Sequence, residues 1–208
     1  MMRRLRTIVV VISAMAFAVV GGVAIASALL PTPPSLVGQE ASEPAGTSFV
    51  LGPVVADPSD GPDWTVRTYP SKTDWTCAET GRTDGKAFGR AAPDGAIIPL
   101  ELPELGSCAD VKESNFAIWV NHYPADGDRE ARAVIFGAVS TEVAGVALTL
   151  GGSSTELRVE RGGFIDVQPK SVLADGGVLA VTLADGSTHN TKLRPPPPPR
   201  TATLAPTG

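Results

Sequence analysis

Two cysteines are the residues of this sequence best suited to nucleophilic or redox chemistry. Cys77 and Cys108 lie 31 positions apart, in a part of the chain that we predict to be exported. Oxidising compartments favour disulfides over free thiols, and closing a loop of this length restricts the unfolded chain by about 3–4 kcal/mol. A catalytic thiol is the alternative, but Asp-Trp-Thr-Cys-Ala around Cys77 does not match the Thr-Leu-x-Thr-Cys pattern of sortase transpeptidases. The sequence therefore predicts a Cys77–Cys108 disulfide.

Other chemistries have few candidate residues. His122 ends an alternating apolar run and His189 lies beside a predicted hairpin turn, and the sequence holds no Gly-x-Ser-x-Gly motif that would supply a serine nucleophile. Zinc requires three or four clustered Cys and His ligands, which the sequence lacks. The acidic stretches 57–63 and 126–130 hold oxygen ligands for calcium, but neither completes the twelve-residue calcium loop. We therefore expect no catalytic residue, no metal site and no cofactor.

Three tryptophans, Trp64, Trp75 and Trp119, are the candidates for a ligand-binding surface. An indole ring offers a large apolar surface with one polar N–H, which suits binding of a small ligand or a glycan. The alternative is that these rings fill the centre of a β-sandwich and pack near the disulfide. Exposure of the rings discriminates between the two interpretations.

The first thirty residues predict where the chain is located. Arg3, Arg4 and Arg6 precede an uncharged, largely apolar stretch at 8–30. A helix of that length is about 34 Å long at about 1.5 Å per residue, enough to cross a bilayer core of about 30 Å. With the arginines on the cytoplasmic side, the rest of the chain lies outside the cell membrane. The alternative is a cleaved signal peptide that ends near the small residues at 24–26, which would make the protein secreted.

The charge of the chain limits its partners. The sequence has 22 acidic and 17 basic side chains and a net charge of −5, and the exported part is more acidic still because it lacks the three N-terminal arginines. Binding of nucleic acid needs clustered Lys and Arg, and the sequence has no such cluster. The expected partners are the membrane, through the N-terminal helix, and a protein or neutral polymer of the envelope.

Short apolar or alternating runs predict an all-β fold. They recur about every ten residues between Gly-Gly and Asp-Gly turns, which is typical of an immunoglobulin-like antiparallel sandwich of two layers. Asp185-Gly186 is the clearest hairpin signal, because both residues tolerate the positive φ of a tight turn. The predicted strands are 49–55, 64–69, 75–79, 116–123, 131–139, 146–150, 157–159, 164–167, 178–183 and 188–193.

Composition divides the chain into four parts. A signal-anchor helix at 1–30 precedes a proline-rich stalk at 31–47, a β-sandwich at 48–194 and a proline-rich tail at 195–208 that we expect to be disordered. The tail begins with five consecutive prolines, for which we expect a polyproline II rod of about 16 Å. The alternative to one sandwich domain is two small units that divide near 124–129.

The runs at 133–139, 146–150, 163–167 and 178–186 resemble an uncharacterised group of envelope β-sandwich proteins from high-GC Gram-positive bacteria. The similarity extends over 64–193 and rests on strand and hairpin motifs. It implies a membrane-anchored or secreted protein of the cell envelope. Because no activity is established for the group, no catalytic or binding residue follows from the resemblance.

These observations predict a non-catalytic extracytoplasmic protein anchored in the membrane, which acts as a protein-interaction or spacer module of the cell envelope. A sandwich that binds a small ligand or a glycan through its aromatic residues is the alternative. An enzyme of unrecognised class is the third hypothesis.

Overall fold

The computed structural model describes residues 43–104, 106–125 and 130–195. The predicted signal-anchor helix at 1–30, residues 31–42 of the predicted stalk and all but the first residue of the tail at 195–208 lie outside these residues. Within the described part of the chain, no helix has the length and hydropathy needed to cross a membrane.

The described residues consist mainly of short β-strands, which confirms the predicted all-β class. One short helix, α1 (Val111–Ser114), and one 3-10 turn (Lys170–Leu173) interrupt them. The strands are β1 (Val50–Val55), β2 (Asp63–Pro70), β3 (Thr76–Thr83), β4 (Phe88–Ala91), β5 (Ile97–Pro99), β6 (Ser107–Ala109), β7 (Phe116–Tyr123), β8 (Arg132–Val139), β9 (Val143–Leu150), β10 (Ser153–Leu157), β11 (Val159–Glu160), β12 (Gly163–Pro169), β13 (Gly177–Leu183) and β14 (Thr188–Leu193).

The strands form three antiparallel sheets. Sheet 1 has the order β1-β2-β3-β4-β5, with β6 paired to the other end of β3. Sheet 2 has the order β11-β12-β8-β7, and sheet 3 has the order β10-β9-β13-β14. The chain passes from sheet 3 to sheet 2 at Arg158, between β10 and β11.

Tight glycine turns set the register of sheet 3. Gly151 and Gly152 join β9 to β10 with φ values of 55° and 84°, and Gly186 has a φ of 85° in the turn between β13 and β14. Such positive φ angles are strained for residues with a Cβ. The hairpin predicted at Asp185-Gly186 is therefore present, with Thr182 opposite Thr188.

Sheet 2 is the middle layer of the fold. One of its faces contributes Ile135 and Phe164 to a buried cluster shared with sheet 3. Its other face contributes Val134 and Phe136 to a second buried cluster, which also contains Trp64 of sheet 1. Every residue of β8 is buried as a result.

The three layers differ from the two-layer sandwich predicted from the sequence. Sheets 2 and 3 pack as a two-layer sandwich, and sheet 1 adds a third layer on the outer face of sheet 2. The physical reason lies in β8, whose apolar side chains point to both faces and leave sheet 2 with two surfaces to bury.

The predicted Cys77–Cys108 disulfide is confirmed. The two cysteines are opposite each other on β3 and β6, with a sulfur–sulfur distance of 2.02 Å, and the structure holds no free cysteine in its described part. The bridge fastens the short strand β6 to the end of β3.

Residues 43–47, which composition assigned to the stalk, contact the fold at the β2–β3 turn. The Ala45 amide donates a hydrogen bond to the carbonyl of Pro70 there.

Candidate functional site

A cavity of about 530 Å³ lies between sheet 1 and the end of β7. We call it the overhang cavity. Its walls come from β3, β4, the segment after β5, the end of β7 and the start of β8. Side chains that matter for its chemistry belong to Trp64, Arg82, Arg90, Asn121, Tyr123 and Arg132.

The cavity follows from the way the sheets are stacked. Strand β1 lies against β11 and β12, β2 lies against β12 and β8, and β3 lies against β8. Sheet 2 ends at β7, whereas sheet 1 continues through β4 and β5. These two strands therefore extend past the edge of sheet 2 and form a roof beside β7.

Asp57, in the loop between β1 and β2, is the centre of a buried ion cluster. Its carboxylate accepts hydrogen bonds from Nε and Nη2 of Arg132 at 3.0 and 2.8 Å, and from Nη1 of Arg82. The indole Nε1 of Trp64 and the backbone amide of Ser59 donate at 3.0 and 2.8 Å. The side chain of Asp57 is fully buried. The cluster thus joins a loop, sheet 1 and sheet 2 at the floor of the cavity.

The charge of Asp57 is stabilised in this position. Burial alone would raise the pKa of its carboxyl group, but the hydrogen bonds from Arg132 and the other donors outweigh burial and hold the pKa well below its usual value. The carboxylate is therefore ionised at any physiological pH and acts as a permanent counter-charge. A carboxylate that is ionised at the working pH has no proton to donate as a general acid, and its low pKa makes it a weak general base.

A second buried ion pair lies on the sheet 1 wall. Nε and Nη2 of Arg67 donate to Oε2 of Glu79 at 2.9 and 2.7 Å, while the other carboxylate oxygen accepts from the Glu104 amide at 3.0 Å. The guanidinium of Arg67 also lies 4.2 Å above the centre of the Phe88 ring. These contacts fix Glu79 as a structural anion of the wall.

Uncharged hydrogen-bonding groups line the β7 side of the cavity. The hydroxyl groups of Tyr123 and Thr80 are 2.9 Å apart, and Nδ2 of Asn121 is 3.5 Å from the Thr80 hydroxyl. Arg90 lies on the opposite wall, is largely exposed and forms a surface ion pair with Glu104. The accessible polar groups of the cavity thus include donors and acceptors, among them the guanidinium of Arg90 and the carboxylate of Glu104.

The structure does not bring the three tryptophans to one exposed surface. Trp64 is 3% exposed, and the guanidinium of Arg82 covers its ring at 3.6 Å from the centroid. Trp119 is half-buried against Phe136, at 5.7 Å between ring centroids, while Trp75 is 39% exposed. Of the three candidates only Trp64 lines the overhang cavity.

The acidic stretch 57–63, considered above as a source of calcium ligands, is a loop held by salt bridges. Its first residue, Asp57, pairs with Arg82 and Arg132. Among residues 43–104, 106–125 and 130–195, no group of Cys, His, Asp and Glu is arranged to hold a metal ion. Most of the second stretch, 126–130, lies outside the described residues. The side chain of His122 lies at the surface. The burial of part of its ring and the positive charge of the nearby Lys170 both lower the pKa of its imidazole.

Sequence reasoning did not identify the Asp57 cluster. Arg82 and Arg132 follow Asp57 by 25 and 75 positions, so no local spacing connects the three residues. One signal in the sequence was Arg132, at the start of the most apolar strand, since a buried arginine needs an acidic partner.

The whole chain matches no protein-family model, no curated protein and no solved structure.

Proposed function

We propose that this protein is a non-catalytic interaction module of the cell envelope, held outside the membrane by its N-terminal segment. One observation carries the proposal: the buried charges around the overhang cavity are engaged in ion pairs. Asp57 is saturated by arginine donors, and Glu79 is bound by Arg67. Catalytic acids and bases need a pKa near the working pH and access to substrate. Fixed ion pairs instead give a rigid wall suited to binding.

Two features support a location outside the cytoplasm. The Cys77–Cys108 bridge fits an oxidising compartment, since cytosolic proteins seldom keep structural disulfides. The apolar stretch at 8–30 follows three arginines, a pattern typical of a signal anchor.

The topology of the second half supports an immunoglobulin-like fold as the finer assignment. In residues 116–193, the order β11-β12-β8-β7 faces the order β10-β9-β13-β14. With β7 as strand A, these correspond to the D-E-B-A and C′-C-F-G sheets of such sandwiches. The segment β10–β11 contributes to both sheets, as a strand that crosses from one edge to the other.

Exposed apolar side chains on β5 and in the segment after it support a protein partner. Ile98 of β5 is 54% exposed, and Leu102, which follows it, is 62% exposed. Aliphatic side chains of this kind supply apolar contact area when a partner protein covers them, which matters in a domain with few aromatic residues. The acidic charge of the chain disfavours anionic polymers as the partner.

Photocrosslinking in intact cells tests the proposal. A photoreactive amino acid at Ile98 is expected to give a discrete crosslinked protein band in the membrane fraction. The matched control carries the same group at Glu156, which is exposed on β10 in sheet 3. Equal crosslinking patterns at both positions, or recovery of the uncrosslinked protein in the cytoplasm, would refute the proposed function.

A further inference from the structure

Among the residues that the structure describes, every charged side chain lining the overhang cavity belongs to an ion pair. The pairs are Arg82 and Arg132 with Asp57, Arg67 with Glu79, and Arg90 with Glu104. Backbone carbonyl groups accept further hydrogen bonds from the two guanidinium groups of the floor, at 2.6 and 2.9 Å. A charged ligand therefore has to displace one of these partners or leave its own charge without a counter-ion, and either costs free energy. The lining favours a neutral occupant.

The β7 wall offers groups that both donate and accept hydrogen bonds. The hydroxyl groups of Thr80 and Tyr123 are 2.9 Å apart, and each keeps acceptor capacity after that bond is made. The side-chain amide of Asn121 adds two donor hydrogens and an acceptor oxygen. Within the described part of the chain, its only hydrogen bond is the long 3.5 Å contact with Thr80. Asn121 and Tyr123 are half-buried beside the cavity, so both can reach a ligand.

The opposite wall offers two planar groups that solvent can reach. The side chains of Arg90 and Glu104 are 63% and 40% exposed. A guanidinium edge presents two parallel N–H donors, and a carboxylate presents two oxygen acceptors. Neighbouring hydroxyl groups of a sugar ring can engage both atoms of such an edge at once. The amide groups of a peptide alternate along its chain and match these paired atoms less well.

Apolar side chains and volume complete the description of the cavity. The apolar contributions come from Ala91, Leu100, Pro124 and Ala125, which suit the C–H groups on the face of a sugar ring. The volume of about 530 Å³ falls within the range of about 300–1,000 Å³ of small-molecule sites, which combine an apolar lining with a few convergent polar groups. The cavity therefore has room for one or two sugar rings.

We propose that the overhang cavity binds a neutral sugar, either free or as the terminal residue of a glycan. Ring hydroxyl groups exchange hydrogen bonds with Asn121 and Tyr123 on one side and with the Arg90–Glu104 pair on the other. Because a hydroxyl both donates and accepts, it satisfies a lining that holds both kinds of group. The site differs from the surface of three tryptophans considered from the sequence, since it depends on polar side chains of β4, β7 and the segment after β5. The inference goes beyond the proposed function, because it requires no protein partner.

Titrations of the full chain with neutral and charged sugars test the site, in a detergent without a sugar headgroup. The probes are glucose, galactose and mannose, the disaccharides maltose and lactose, and the uronic acid and 2-amino-2-deoxy form of each hexose. We expect at least one neutral sugar to bind with a Kd of about 1 mM or lower, and its charged analogues to bind at least about fivefold more weakly.

The disaccharides distinguish the two sources of the sugar. A disaccharide that binds at least as tightly as its component hexose identifies the end of a glycan as the ligand, and weaker binding identifies a free monosaccharide. The absence of saturable binding by any neutral sugar up to about 50 mM, far above the expected Kd, overturns the proposal. Tighter binding of a charged analogue overturns it as well. Tighter binding of N-acetylalanine amide, a neutral peptide unit, overturns it in favour of a peptide ligand.

Substitutions on the two walls locate the binding. Asn121→Ala and Arg90→Ala should each weaken binding of the neutral sugar at least about fivefold, the effect of about one lost hydrogen bond. Because the Arg90 side chain is largely exposed, its removal leaves the core intact. Asn190→Ala, at an exposed position of β14 in sheet 3, is the matched control and should bind as the parent does. Unchanged affinity in both cavity variants would overturn the site. Photocrosslinking at Ile98 does not depend on these titrations, so failure of one proposal is distinguishable from failure of the other.

Discussion

Replacement of Asp57 by alanine is the most direct test of how the cavity floor is held together. The substitution removes the acceptor of five hydrogen bonds and leaves Arg82 and Arg132 without this shared counter-charge. Removing one partner of a buried ion pair costs about 3–5 kcal/mol, because the remaining charge stays desolvated. That is a large part of the roughly 5–15 kcal/mol by which domains are stable.

Thermal unfolding followed by circular dichroism measures the effect. At about 2–4 °C per kcal/mol for a domain of this size, the Asp57→Ala protein should unfold about 6–20 °C below the parent chain. Glu43→Ala is the matched control, since the side chain of Glu43 is 55% exposed in its pair with Lys72 and exposed pairs contribute little. A similar Tm for the two variants would refute the conclusion that the cluster joins the sheets.

Because the pKa of Asp57 is lowered in the fold, its stabilisation is complete above the ordinary carboxyl pKa of about 3.9 and is lost as the pH falls below that value; urea titrations of the parent chain should show this slope, and Asp57→Ala should lack it. Burial raises the pKa of Asp166, so Asp166→Asn should be more stable than the parent at pH 7, with the difference vanishing below about pH 4; a less stable variant at pH 7 would contradict the burial argument. Replacing both Cys77 and Cys108 by alanine should lower the unfolding free energy by about 3–4 kcal/mol in denaturant titrations, whereas a loss below about 1 kcal/mol would argue against a structural bridge. A Cβ at position 137 would lie 2.3 Å from a backbone oxygen of the adjacent strand, so Gly137→Ala should lower Tm markedly, while alanine at position 145, whose surroundings are open, should have little effect on packing.

The hairpin of β13 and β14 was the part of the fold most directly predictable from the sequence. Gly177–Leu183 and Thr188–Leu193 are regular and contiguous, and a glycine turn joins them. Their period and their turn chemistry point to the same structure. Phe88–Ala91 and Ile97–Pro99 were missed because they are short and contain glycine or proline, and their pairing becomes favourable only on sheet 1.

The candidate site was harder to predict because it depends on contacts between distant residues. Asp57 precedes a proline and has the local features of a turn, so the sequence does not reveal its buried partners. The sequence offered two interpretations of Trp64, a ligand-binding surface or the core of the sandwich. Each describes part of its position, since Trp64 is buried and also lines the cavity. The third layer had a visible signal: the uninterrupted apolar run of β8 is typical of a strand covered on both faces.

The middle position of sheet 2 has a consequence for how the chain is made. Sheet 1 is synthesised first, yet its apolar face, with Trp64 and Val66, packs on residues of β8 and β12 that leave the ribosome only after about 60 to 100 further residues. At about 5–20 residues per second, the nascent sheet waits several seconds without its cover. The Cys77–Cys108 crosslink joins two residues that precede β8 and β12 in the chain. Once both cysteines reach an oxidising compartment, it holds the early half together before its packing partner folds onto it.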